Sequence, residues 1–389
     1  MTSLCAICNV AIGAGNDTAE HIIPQSIGGR RTVSGFICRH CNSAAGLTWD
    51  KELFRQLHWF TVMLGIARPK GPAPDINVET ASGNRYAVSA TGAMTPAELL
   101  VERSEDGKSF RIRARDLEEA KRLLIQIHKR YPTFDLAEVL ATMEFSNTKN
   151  QEVMKTSFVF GGALAGRSMV KTAVALAHSL GVPPGACDRA VAYLKEAPGV
   201  EPSLAEHFTS DVVTNRPARL FNCIVVQSDA EKRRLVGYVE YFGVCRWIIH
   251  LSTDYAGPEV SGRYCFDAIT GEETPLEVNL SMTDSDFQAS LDNLTGDHTR
   301  RLKAYNGMMP LLIARRSELG REATVDFASQ AATTAMGITP DTALDEAQFQ
   351  EFAGRVSRLL AENMVFGGWS NAPWAAKSAS SQTESGEGT

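Results

Sequence analysis

Residues 5–42 read CAICNVAIGAGNDTAEHIIPQSIGGRRTVSGFICRHCN, and this stretch determines the local fold. A pair of cysteines separated by two residues lies at each end, and the two pairs comprise Cys5, Cys8, Cys38 and Cys41. Two such pairs supply the four thiolates of a tetrahedral zinc site. The alternative is a redox dithiol or a set of unrelated thiols, but a redox pair usually occurs once, whereas two pairs bracket this loop. We therefore expect a structural Zn2+ whose coordination shell is closed by sulfur.

The loop between the cysteine pairs carries a second group of polar residues. Glu20 and His21 are adjacent within it, and Asn42 directly follows the last cysteine. Because zinc would bring the two pairs together, it would also hold Glu20 and His21 near Asn42. A carboxylate, an imidazole and an amide held together can bind a divalent cation and activate water. The spacing therefore predicts a second metal site, open and catalytic, beside the zinc.

This set of motifs resembles the HNH, or ββα-metal, endonuclease family in its four-cysteine zinc subtype. The resemblance covers about residues 4–53 of the chain. The matching residues are the four cysteines, Glu20-His21-Ile22-Ile23-Pro24, Gly28-Gly29, Asn42, Gly46 and Asp50. The resemblance implies two strands and a helix, stapled by zinc and folded around one catalytic divalent cation.

The resemblance also assigns roles to three residues. His21 would be the general base, whose neutral imidazole takes a proton from the attacking water; an unperturbed pKa of about 6.5 suits that role. Glu20 and Asn42 would be the protein ligands of the catalytic cation. Oxygen ligands of this kind favour Mg2+ or Mn2+. The expected reaction is hydrolysis of a phosphodiester bond.

In one place the chain departs from the family pattern. The middle asparagine of the family normally lies four or five residues before the third cysteine, where this chain has Ser34 and Val33. That asparagine orients the general base. We expect the hydroxyl group of Ser34 or of Thr32 to support His21 instead.

Four charged residues of the same segment each have two interpretations. Asp50 follows Asn42 by two helical turns, about 12 Å of rise, which favours a supporting or helix-surface role over metal ligation. Arg30, Arg31 and Arg39 are clustered and are candidates for holding phosphate groups, with plain solvated charges as the alternative.

The whole chain has 389 residues and a net charge of −6, so no global basic field indicates a nucleic-acid ligand. We find no charged leader followed by an apolar core, and no apolar run of about 18 residues. We therefore expect a cytoplasmic protein without a membrane span, in which paired cysteines bind metal. The remaining cysteines are expected to be buried as small hydrophobic residues: Cys187, Cys223, Cys245 and Cys265.

The predicted fold class is α+β, with the nuclease module at the N-terminus and a larger mixed region after it. Apolar periodicity predicts helices over about 116–130, 168–180, 186–197, 283–318 and 343–365. Runs rich in Val, Ile, Tyr and Phe predict strands at 221–227, 235–242, 246–252 and 262–268. We divide the chain into a nuclease module (1–60), a connecting region with short strands (61–115), a mixed domain of unknown role (116–369) and a disordered tail (370–389).

The C-terminal region has no comparable motif. Arg167 and Lys171 lie near the start of a predicted helix and are interpreted as solvated cations, with contact to a nucleic-acid backbone as the alternative. His250, in an apolar strand, is interpreted as a core residue. By resemblance, this region could select the target, sense a signal, or bind a partner or a second copy of the chain.

The sequence thus leads to the hypothesis of a metal-dependent endonuclease that cuts DNA, with a role in bacterial antiviral defence or restriction. One alternative is a non-catalytic zinc module that binds nucleic acid or protein. The other is an RNase with the same site, because the cation and the base act on a phosphodiester in either polymer.

Overall fold

The computed structural model of the protein describes residues 3–66, 68, 71, 73–91, 94–97, 100–103, 110–113, 117–132, 134–136, 154–339 and 343–366. The predicted tail, residues 370–389, lies outside them. Contacts divide the chain into two compact units, residues 1–74 with 157–316 and residues 75–156 with 317–389. The functional division predicted from the sequence stays a prediction. No helix in the described residues is long and apolar enough to cross a membrane.

The first unit begins with a short antiparallel hairpin followed by helix. Strands β1 (Glu20–His21) and β2 (Thr32–Val33) pair Glu20 with Val33 and His21 with Thr32. Helix α1 (Arg39–Ala45) passes through one wide π-helical turn, Gly46–Asp50, into helix α2 (Lys51–Leu64). The two strands and the helix implied by the resemblance are therefore present in the expected order.

Two consecutive glycines shape the hairpin loop. Gly28 ends a 3-10 turn (Gln25–Ile27) with φ = 98°, a conformation that side chains disfavour. At Gly29 an added Cβ atom would lie 1.8 Å from the carbonyl oxygen of Ile23. The backbone therefore folds against itself at a distance that only glycine allows, which explains why the motif contains both glycines.

The second unit has its own small sheets. Its strands are β3 (Ile76–Thr80), β4 (Arg85–Val88), β5 (Met94–Pro96), β6 (Leu100–Arg103), β7 (Phe110–Arg113) and β8 (Met154–Lys155). They form a sheet of order β5-β4-β3-β8 and a separate β6-β7 hairpin, all antiparallel. Helix α3 (Leu117–Arg130) follows, as the periodicity predicted.

The rest of the first unit is a five-stranded antiparallel sheet with helices on both faces. Helices α4 (Gly162–Ser179) and α5 (Asp188–Leu194) precede it. The sheet contains β9 (Leu204–Glu206), β10 (Phe221–Asp229), β11 (Arg234–Tyr241), β12 (Cys245–Ser252) and β13 (Ser261–Asp267), in the order β13-β10-β11-β12-β9. The four predicted strands correspond to β10–β13, whereas β9 has no clear sequence signal.

Helix α4 covers one face of this sheet. A Cβ atom at Gly237 of β11 would lie 3.1 Å from that of Ala173, so the helix approaches the strand closely. The hydrophobic core on this face also includes residues of α2 and of the loops before α1, so it is continuous with the N-terminal segment. The opposite face packs against helix α6 (Asp284–Leu291) through Phe287.

Two long helices complete the described chain, α7 (His298–Met336) and α8 (Glu346–Phe366). The sequence predicted one helix over 283–318, but the structure has α6 and α7 with a break between them. The break coincides with Asn293, whose φ of 56° lies outside the helical region. The predicted α+β class is confirmed.

Candidate active site

The four paired cysteines form one compact sulfur cluster. The Sγ atoms of Cys5, Cys8, Cys38 and Cys41 all lie within 4.8 Å of one another, and those of Cys8 and Cys38 are 3.7 Å apart. A tetrahedral Zn2+ with bonds of about 2.3 Å separates its sulfur ligands by roughly 3.8 Å. The cluster therefore fits a structural zinc site.

Asn42 lies at the start of α1, one residue after the cluster. Its backbone N–H donates to the carbonyl of Cys38 at 2.9 Å, and its side-chain Nδ2 donates to Oγ1 of Thr18 at 3.3 Å. This second bond ties the helix start to the segment that enters β1, two residues before Glu20. The amide oxygen Oδ1 makes no hydrogen bond within the described part of the chain.

Glu20 is buried at the start of β1 and is paired with a lysine from a distant segment. The ammonium group of Lys171, in α4, donates to Oε1 of Glu20 and to Oδ2 of Asp50, the latter at 2.6 Å. The other oxygen of Asp50 accepts from Oγ of Ser168 at 2.6 Å. Both oxygens of Asp50 are thus engaged by protein groups, whereas Oε2 of Glu20 has no hydrogen bond from any described residue.

Lys171 was interpreted from the sequence as a solvated cation, and that interpretation is wrong. Its side chain is only 2% exposed, and both of its partners are carboxylates. A signal was present in the sequence, because Lys171 interrupts the apolar run from Met169 to Ala177. A charge within such an apolar stretch of a buried helix requires a buried partner. The identity of that partner could not be read from the sequence.

His21 is half-buried and follows Glu20 directly. Burial lowers its pKa, the charge of Glu20 acts in the opposite direction, and the Lys171 ammonium lowers it further; the net pKa lies below the ordinary value for histidine. The imidazole is therefore neutral at neutral pH, as a general base must be. Its ring makes no hydrogen bond to the described residues.

The two hydroxyl residues proposed to support His21 occupy different places. Thr32 lies directly opposite His21 in the hairpin, so the two side chains are on the same face. Ser34 lies two residues further along, and its backbone carbonyl contacts Nε2 of His178 at 3.2 Å. The register therefore favours Thr32 over Ser34 as the neighbour of His21.

The three arginines of the segment are exposed and partly engaged. Arg30 donates through Nη2 to the carbonyl of Thr270 at 2.7 Å, and the guanidinium of Arg31 lies over the ring of Tyr264 at 5.3 Å. Arg39 donates to a backbone carbonyl in the loop before β1 at 3.3 Å. These contacts leave the guanidinium groups at the surface, where phosphate groups could reach them.

The donor set of the site suits one hard divalent cation. Glu20 Oε2 and Asn42 Oδ1 are a carboxylate and an amide oxygen without hydrogen-bond partners among the described residues, and Mg2+ and Mn2+ prefer such ligands together with water. Asp50 does not offer a free oxygen. The donor chemistry of Glu20 and Asn42 is therefore of the kind that Mg2+ or Mn2+ binds.

Comparison with known proteins supports the resemblance recognised in the sequence. Residues 5–58 match the family described as HNH endonuclease. The match includes the four cysteines, both residues of the acid–histidine pair, Asn42 and Asp50. Searches of curated proteins and of solved structures find no significant match. The resemblance is confirmed for the N-terminal segment, and it points to a nuclease.

Proposed function

We propose, from the premise that residues 5–58 belong to the HNH endonuclease family, that this protein is a metal-dependent endonuclease that hydrolyses phosphodiester bonds of DNA. The observation that carries the proposal is the set of environments of Glu20 and His21, the two adjacent residues that form β1. His21 is half-buried with a lowered pKa, and Lys171 donates to Oε1 of Glu20, whereas Oε2 has no hydrogen bond from a described residue.

The proposed mechanism assigns one proton transfer to the chain itself. The neutral imidazole of His21 takes a proton from a water molecule as that water attacks the phosphorus atom. Glu20 and Asn42 would hold the divalent cation. When bound, the cation supplies Lewis-acid stabilisation of the charge that develops on the phosphate and on the leaving oxygen. The charge of Glu20 favours the imidazolium formed at His21, in opposition to burial and the Lys171 ammonium, which lower its pKa.

DNA is proposed as the substrate by analogy with the family that the sequence resembles, since the matched description names an endonuclease and no polymer. The exposed guanidinium groups of Arg30, Arg31 and Arg39 support binding of a phosphate backbone, which both polymers share. We propose a role in bacterial antiviral defence or restriction and a cytoplasmic location on the same family analogy, which is a weaker argument than the site itself.

The first test compares substrates and metals. The zinc-loaded protein is incubated with plasmid DNA, with single-stranded DNA and with RNA. Each substrate is tested with Mg2+, with Mn2+ and with a chelator at a concentration that removes only weakly bound metal. The proposal expects metal-dependent cutting of DNA, and a loss of at least 100-fold in Glu20→Gln. Cutting of RNA alone would support the RNase alternative. Failure to cut any polymer would support a non-catalytic zinc module.

A further inference from the structure

Helix α4 is tied to the N-terminal segment along its whole length. At its start, the side-chain amide of Gln56 both donates to the carbonyl of Gly161 and accepts from its N–H, each at 2.9 Å. In its middle, Ser168 and Lys171 meet Asp50, and near its end His178 meets the carbonyl of Ser34. Residues 168, 171 and 178 are spaced by three and seven positions, so they share one helix face.

The ammonium group on this helix face contacts two carboxylates, one of which also accepts from a hydroxyl group. Lys171 Nζ lies between Glu20 and Asp50, and Ser168 holds Asp50 from the other side. One buried cation therefore faces two carboxylates, which leaves one negative charge in excess. Separating a buried ammonium group from its carboxylate partners is strongly unfavourable. The three side chains therefore keep their contacts, and the position of Glu20 is fixed. Among the described residues no group donates to Oε2 of Glu20, and this is the oxygen that the proposed cation requires.

We propose that Lys171 is a positioning residue of the nuclease site: anchored by Asp50 and Ser168, it holds Oε1 of Glu20 so that Oε2 is presented to the divalent cation. The inference rests on the proposed function and extends it, because it makes α4 part of the site. The nuclease site would then not be confined to the first 60 residues. Lys171 would touch neither substrate nor cation and would act only through Glu20.

Two other roles for Lys171 make different predictions. If the ammonium occupied the place of the cation, it would have to leave for the cation to bind, and its removal would strengthen metal binding. If the lysine only joined two segments of the fold, its removal would change stability but not the metal affinity of the folded protein. The positioning role predicts weaker metal binding, because Glu20 and Asp50 would repel each other or share a proton without the ammonium.

The experiment measures the affinity for Mn2+ directly. The full-length, zinc-loaded protein is titrated with Mn2+, and the concentration of free Mn2+ is measured by electron paramagnetic resonance. Wild type is compared with Lys171→Met, Lys171→Arg, Ser168→Ala and Glu20→Gln. Arg167→Met is the matched control, since Arg167 lies on the same helix but pairs with Glu196. Zinc content and the thermal midpoint are recorded for each variant, so that misfolded protein is recognised.

The positioning role predicts that Lys171→Met weakens Mn2+ binding by about tenfold or more, as is common when a group that orients a metal ligand is lost. Lys171→Arg and Ser168→Ala should lie between Lys171→Met and wild type, and Arg167→Met should match wild type. If Lys171→Met does not fold, Ser168→Ala decides, because it removes only a hydroxyl group. Unchanged or tighter Mn2+ binding in the folded variants overturns the inference, as does wild-type Mn2+ binding that is independent of Glu20.

The same variants separate this inference from the proposed function. If wild type binds Mn2+ through Glu20 and Lys171 but cuts no nucleic acid, the nuclease proposal fails and the positioning role stands. If wild type cuts DNA and Lys171→Met has unchanged Mn2+ affinity and cutting rate, the positioning role fails and the nuclease proposal stands.

Discussion

His21 and Thr32 face each other across the β1–β2 hairpin, in the register that also pairs Glu20 with Val33. Directly paired residues of an antiparallel hairpin have their side chains on the same face. The hydroxyl of Thr32 is therefore the polar side-chain group that the strand register brings closest to the proposed base. Ser34, which stands at the position of the family's middle asparagine, contacts His178 through its carbonyl instead.

This register predicts that Thr32, rather than Ser34, supports the base. Thr32→Val should lower kcat for DNA cleavage by about tenfold, because the imidazole loses a neighbouring group that limits its orientation. Ser34→Ala should leave kcat within about twofold of wild type, since only the backbone of this residue makes a described contact. Steady-state cleavage of a labelled duplex measures both. The opposite ranking of the two variants would assign the supporting role to Ser34.

The sulfur cluster predicts one tightly bound zinc ion per chain. Elemental analysis of the purified protein should find it, and Cys38→Ser should lose it. Cys5 and Cys38 belong to the same hydrophobic core as α4. Loss of zinc should therefore destabilise this core as well as the N-terminal loop. We expect the thermal midpoint to fall by on the order of 10 °C, from a loss of about 3 kcal/mol. A fully folded protein without zinc would contradict the structural assignment.

Two glycines of the motif predict opposite results on substitution by alanine. At Gly29 the new Cβ atom would lie 1.8 Å from a carbonyl oxygen, so the backbone must move and unfolding should become easier by about 2–4 kcal/mol. At Gly46 an added Cβ atom would meet no described atom within 4 Å apart from its chain neighbours and the backbone of its own helix. The backbone there is helical, so Gly46→Ala should be neutral or stabilising by up to about 1 kcal/mol. Urea denaturation of both variants measures the difference.

The buried histidine of β12 predicts a loss of stability in acid. Burial first, and then the charges of Arg189 and Arg234, hold the pKa of His250 at about 4. The unfolded imidazole binds its proton near pH 6.5, so between pH 6.5 and 4 the unfolded chain binds more protons and a falling pH favours unfolding. This residue alone should remove about 3 kcal/mol of stability over that window. The loss is complete below about pH 4.

Comparison with His250→Gln isolates this effect from zinc release, which acid also promotes and which both proteins share. The free energy of unfolding should fall less steeply with decreasing pH in the variant than in wild type. Equal slopes in the two proteins would show that His250 is protonated in the folded state at its ordinary pKa.

The hairpin and the first helix were expected only from the resemblance to the HNH family. Strands β10–β13 could be predicted because runs of Val, Ile, Tyr and Phe are local signals that specify geometry over short distances. The zinc ligands could be named for the same reason. Helix α6 was merged with α7 because a turn centred on Asn293 has no proline to mark it.

The supporting groups of the site could not be predicted in the same way. Lys171 lies 151 positions from Glu20 and 121 from Asp50, and only the packing of α4 brings them together. The spacing of apolar residues in a sequence indicates that a helix is buried, but it does not indicate which residues the helix contacts. The lysine within the apolar run showed that a partner was required, and the tertiary fold supplied two.

The central claim is that His21 acts as the base of a metal-dependent nuclease, and plasmid nicking tests it most directly. Wild type, His21→Ala and the matched control His40→Ala, which changes an exposed histidine of the same segment, are assayed in Mg2+ and in Mn2+ at equal zinc content. The account predicts nicking by wild type and by His40→Ala, and a rate at least 100-fold lower in His21→Ala. Equal nicking by wild type and His21→Ala, or no nicking by any of the three, would contradict it.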